Sequence, residues 1–150
     1  MNTAVQFTSG EDKNQGILRY LNLDIPLHNV YDFIELSRNG INKRNLLFLA
    51  KKIDFDLKEM AKILHISERT LQRYTAAKKL SPEVSERALQ LAKLYCKGEE
   101  VFGDLEQFKR WMQYPNMALG MKQPKDLLDT TFGFQLLNEE LIKIEYGIFS

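Results

Sequence analysis

The residues best suited to chemistry in this chain are Ser67, Glu68, Arg69, Thr70, Gln72 and Arg73, inside the stretch Leu57 to Tyr74. Arginine presents paired donors that match a guanine edge, and glutamine matches an adenine edge. Serine and threonine hydroxyls near a helix start suit phosphate. Such chemistry requires these side chains to share one outward helix face. Leu71 and Tyr74, four and seven residues after Ser67, supply the opposite, inward face, which leaves Glu68, Arg69, Gln72, Arg73 and Ala76 pointing out. Just upstream, Leu57, Met60 and Leu64 face inward, Ala61 is small where two helices must cross, and Ile66 plugs the turn. This is the pattern of a helix-turn-helix, whose second helix enters the major groove. His65 stands where that turn commonly has glycine; histidine visits the left-handed region more readily than most residues do.

Two amphipathic helices can also meet with no nucleic acid involved, so the surrounding charge matters. Arg38 to Lys79 holds eleven basic and four acidic side chains, a net of about +7. Glu99 to Ser150 holds five basic and nine acidic ones, a net of about −4, although the whole chain is only +1. A basic middle and an acidic end point to two partners of opposite charge preference, one of them DNA.

Other chemistries find little support. His28 and His65 lie apart and no glycine-rich phosphate loop is present, so no catalytic residue, metal or cofactor is expected. Glu99-Glu100 and Glu139-Glu140 read as solvated helix faces. The single Cys96, within an apolar helical run, reads as a buried structural thiol in a reducing, cytoplasmic setting. The N-terminus has no signal-peptide pattern, and the longest apolar run, Leu46 to Ala50, is far too short to span a bilayer, so no membrane association is expected.

The elements that must position the reader are all helical. Residues 1–20 read as a flexible polar arm. A first helix is predicted near 27–38, ended by Asn39-Gly40, and a second capped by Asn42. Asp56 with Glu59 forms a capping box for a helix over 57–64. Ser67 opens the next, predicted to run to about Ala77. Ser81-Pro82-Glu83 starts a helix predicted to stop at Gly98. Asp104 with Gln107 caps a short helix in which Phe108 and Trp111 share a core-facing side. Pro115 to Gly120 reads as a rigid loop, Pro124 to Leu128 as one helical turn. The last helix carries Phe134, Leu137, Leu141 and Ile144 and ends at Gly147. The expected fold is all-α.

Six stretches in fixed order, the first of them inside the helix-turn-helix, carry a family resemblance. They are Ser67-Glu68-Arg69-Thr70-Leu71-Gln72-Arg73, Leu80 to Arg87, Glu100-Val101-Phe102-Gly103, Trp111 to Gly120, Pro124 to Gly133, and Ile144 to Phe149. Over residues 27–150 the chain resembles the Xre/MbcA/ParS-type antitoxins. It departs from them at Met121, where a second glycine is usual, and at Tyr114, which replaces a smaller residue. The resemblance implies a helix-turn-helix DNA-binding domain over 21–98 and a small helical toxin-binding domain over 99–150. It also implies a RES-type partner toxin that consumes NAD, and repression of the shared operon through operator DNA.

Within that frame, Glu145, Tyr146, Gly147, Ile148, Phe149 and Ser150 are expected to contact the toxin. Gly147 can take positive φ and release an apolar Ile-Phe pair. Glu145 and the terminal carboxylate of Ser150 could occupy donors meant for a pyrophosphate. A homodimer is expected, because two-fold dimers read two half-sites, with the early helices and the 82–97 helix as its surface. The competing reading is a free-standing helix-turn-helix transcription regulator whose C-terminal half is a dimerisation or effector module.

Overall fold

The computed structural model describes residues 14–147. The predicted arm over 1–13, and Ile148, Phe149 and Ser150, therefore lie outside the described residues. Among those described there are helices, two short 3-10 turns and isolated backbone bridges, and no strand. No helix is long and apolar enough to cross a membrane. The chain divides into two compact units between Lys93 and Leu94.

The first unit begins earlier than the sequence suggests. Residues 14–20 are helical (α1), and Ile17, Leu18, Tyr20 and Leu21 are buried, so this part of the predicted arm is core. The apolar stripe is only one turn long and flanked by polar residues, too short for periodicity to reveal. Distant partners hold it: Asn45 Nδ2 donates to the Leu21 carbonyl at 2.9 Å, and the Lys52 ammonium lies 4.8 Å from the Tyr20 ring centroid.

Helix α2 (Val30–Asn39) starts about three residues later than predicted because Asn29 caps it: its Oδ1 accepts from the Tyr31 and Asp32 amides, and Asp32 returns the bond. None of its residues is buried. Helix α3 (Lys43–Lys52) is capped by Asn42, and α4 (Leu57–Leu64) by the Asp56–Glu59 box, both as predicted. Leu46, Leu49, Met60, Ala61, Leu64 and Leu71 pack into this unit's core.

Helix α5 (Glu68–Arg73) is shorter than the predicted run to Ala77, since Tyr74 is already extended. Tertiary hydrogen bonds take the chain away from the helix there. The Arg44 amide donates to Ala76 at 2.9 Å, Lys43 to Lys78 at 3.0 Å, and Leu80 to Ile41 at 2.8 Å. The helix that follows, α6 (Pro82–Phe102), runs past Gly98. Gly98 is buried within it, and a Cβ there would meet the Phe108 ring at 2.3 Å. The residue is glycine for close approach and not as a stop.

In the second unit, α7 (Leu105–Gln113) is capped by Asp104, whose Oδ1 accepts from the Gln107 amide at 2.7 Å. Phe108 is fully buried and Trp111 half-buried. Phe108 meets Tyr95 edge-on at 5.0 Å and stacks on Trp111 at 5.9 Å, with Phe102 at 5.6 Å from both. Cys96 is half-buried, where a buried thiol was predicted. Two 3-10 turns (Met117–Leu119 and Pro124–Leu127) lead to α8 (Thr131–Glu145), which buries Phe134, Leu137 and Leu141. A Cβ on Gly133 would lie 1.6 Å from the Leu127 carbonyl oxygen, so helix and preceding turn touch backbone to backbone.

Candidate functional site

The reader helix α5 is built from its ends inward. Helix α4 ends at His65, which adopts φ 58°, ψ 42°, the left-handed conformation that glycine commonly supplies in this turn. The chain then re-enters a helix at Ser67, whose Oγ accepts from the Thr70 amide at 3.0 Å and donates to Thr70 Oγ1 at 2.7 Å. Leu71 is the buried anchor of α5, while Met60 and Leu64 are buried on α4. Leu57, Ile66 and Tyr74 are half-buried around them.

This leaves the expected face outward. Ser67, Glu68, Arg69, Gln72 and Arg73 are exposed and Thr70 is half-exposed. Gln72 Nε2 donates to Glu68 Oε1 at 3.4 Å, one turn apart on that face. Arg44, Lys58 and Lys62 are exposed elsewhere in the same unit.

Three residues that position the reader were not legible in the sequence. Lys43 Nζ donates to the carbonyls of Gln72 at 3.3 Å and Tyr74 at 2.8 Å, closing the C-terminal end of α5. A cation at that end also complements the helix dipole. Lys43 counts toward the basic surface in the sequence, yet its charge is spent on α5. Arg87 Nη1 donates to the Ile63 carbonyl at 3.2 Å and ties α6 to α4. The fully buried Ser85 accepts from the Ile41 amide at 3.0 Å. All three act across 24 or more residues of chain, where no local signal exists.

The second unit ends on the residues assigned to a toxin. Gly147 takes φ +70° with open space around it, and Tyr146 is exposed. Glu145 is not free: it accepts from Lys97 Nζ at 2.6 Å. Upstream, the 114–122 segment is a closed loop in which the Asn116 amide donates to Lys122 at 3.0 Å and the Met121 amide to Asn116 at 2.8 Å. Among the described residues no three His, Cys, Asp or Glu side chains are placed to hold a metal.

Comparison with known proteins matches both units. The model of the antitoxin Xre-like helix-turn-helix domain matches residues 32–93, and that of the antitoxin Xre/MbcA/ParS C-terminal toxin-binding domain matches residues 97–147. The chain is 31% identical over 129 residues to the Prs ADP-ribosylating antitoxin of Sphingobium sp. (strain YBL2), covering 79% of this chain and 81% of the relative. It is 30% identical over 94 residues to Antitoxin Xre of Yersinia enterocolitica serotype O:8 / biotype 1B (strain NCTC 13174 / 8081), covering 61% of this chain and 64% of the relative. With a helix-turn-helix unit and a toxin-binding unit in that order, the chain belongs to the Xre/MbcA/ParS family of antitoxins and is a binding protein, not an enzyme.

Proposed function

We propose that this antitoxin inhibits a RES-type, NAD-degrading toxin and represses its own operon, acting in the cytoplasm as a homodimer. The observation that carries the reading is the exposed set Arg69, Gln72 and Arg73 on a short helix locked at both ends, in the same chain as a toxin-binding domain. Ser67, Glu68 and Thr70 complete the DNA face, with Arg and Gln on base edges and the hydroxyls toward phosphate. The NAD-linked partner is supported by the name of the Sphingobium relative, which couples an antitoxin with ADP-ribosylation, a reaction that draws on NAD.

On the toxin side the reading takes Tyr146 and Gly147, just past the end of α8, together with Ile148, Phe149 and Ser150, and Glu145 joins them on release from Lys97. The homodimer is supported by the first unit. A groove of about 700 Å³ lies along α2 and the start of α6, with Val30, Phe33, Ile34, Pro82 and Leu89 among its lining. No residue of α2 is fully buried, and a partly exposed apolar helix face of this kind suits a second copy.

Co-expression with the toxin encoded beside this chain tests the reading. The antitoxin should restore growth and cellular NAD, and bind DNA from its own promoter. Rescue from a toxin that leaves NAD unchanged would remove the RES-type assignment. Promoter binding without any rescue would favour the free-standing regulator.

A further inference from the structure

Four non-glycine residues among those described have positive φ: Asn22, Asp54, His65 and Met121. The first three are of the types that tolerate the left-handed region, and methionine is not. Met121, at φ 64°, follows Gly120 at φ 68°, so two successive left-handed residues end this loop. The loop is closed by its own hydrogen bonds. Besides its closing backbone bonds, Asn116 Oδ1 accepts from the Ala118 amide at 2.9 Å, and Leu119 is buried beneath it.

A strained residue is ordinarily held in place by what its side chain packs against. Met121 has little of that kind to hold it, being 62% exposed, and Met117 on the same loop is 86% exposed. The backbone geometry would be met at least as well by glycine, and a strained residue of this kind is a pointer to function. Methionine is enriched in the buried centre of interfaces, and its flexible thioether fits irregular apolar pockets. A loop fixed by its own hydrogen bonds presents such side chains with little ordering left to lose on binding.

We infer that Met117 and Met121 are docking knobs that seat in an apolar pocket of the toxin. The inference rests on the toxin-binding role of residues 97–147, and adds to it contacts from a stretch of chain other than Glu145 to Ser150.

The test uses full-length antitoxin carrying Met117→Ser and Met121→Gly together, with purified toxin from the same operon as the probe. Its affinity for the toxin should fall about tenfold or more. Its melting temperature should hold or rise, because glycine removes the strained backbone, and promoter binding should be unchanged. Toxin affinity within about threefold of the parent would overturn the inference. A marked fall in melting temperature of the Met121→Gly single variant would also overturn it, by showing the side chain to be a structural contact. If the parent itself fails to bind the toxin, the toxin-binding reading falls, and the docking role with it.

Discussion

The Lys43 ammonium donates to the Tyr74 carbonyl at 2.8 Å, so a residue in the first turn of α3 closes the reader helix from 31 residues away. Replacing it should loosen α5 without removing any DNA contact. Lys43→Met should lower stability by about 1–2 kcal/mol, the scale of charge-assisted bonds to backbone in a partly exposed site. Operator affinity should fall in parallel at every salt concentration. A phosphate contact would instead change the slope of log affinity against log salt by about 1 per contact. A changed slope for Lys43→Met would make it a phosphate ligand.

Arg69, Gln72 and Arg73 should behave differently. Each alanine variant that loses a bidentate base contact should weaken operator binding by about 1–3 kcal/mol at fixed salt and relax discrimination at one base pair. Melting temperatures should barely move, since all three side chains are exposed. Three variants that all bind operator like the parent would exclude α5 as the reader.

Two glycines of the second unit should be sensitive for steric reasons. A Cβ on Gly98 meets the Phe108 ring, which can shift, so Gly98→Ala should cost about 1–3 kcal/mol. A Cβ on Gly133 meets the Leu127 carbonyl, which is backbone, so Gly133→Ala should cost more than about 3 kcal/mol. Chemical denaturation measures both, and the reverse order would contradict the geometry.

The Lys97–Glu145 pair joins the start of the second unit to the end of α8 with both side chains about a third exposed. Its contribution to stability should be about 0.2–1 kcal/mol and should shrink in high salt. If Glu145 reaches the toxin it must first leave Lys97. Toxin affinity should then hold or rise in Lys97→Met and fall in Glu145→Gln. Deleting Tyr146 to Ser150 should abolish rescue from the toxin while operator binding stays near normal. Full protection by the truncated chain at matched expression would remove the tail as the inhibitory element.

Helix α1 gives the clearest stability prediction. Leu18 is fully buried, so Leu18→Ala should destabilise the first unit by about 2–5 kcal/mol. A near-neutral result would restore the flexible arm.

The amino-acid sequence by itself determined the helical class, most helix starts and the outward set on α5. Those depend on neighbours within one or two turns: Asn42, Asp56 with Glu59, Ser67 and Asp104 cap the helices that follow them, and Leu71 sits inward wherever Arg69, Gln72 and Arg73 sit outward. His65 in the left-handed turn and Gly147 at positive φ were legible for the same reason. Tertiary structure alone decided what depends on distant chain. It shortened α5 by pairing 76–80 with 41–44, carried α6 through Gly98 to meet Phe108, and made 14–21 part of the core. It also turned Lys43 from a surface charge into the cap of the reader and committed Glu145 to Lys97. Capping and amphipathic spacing are local and written in consecutive residues, whereas a carbonyl left open at one helix end is satisfied by whichever donor the fold brings near.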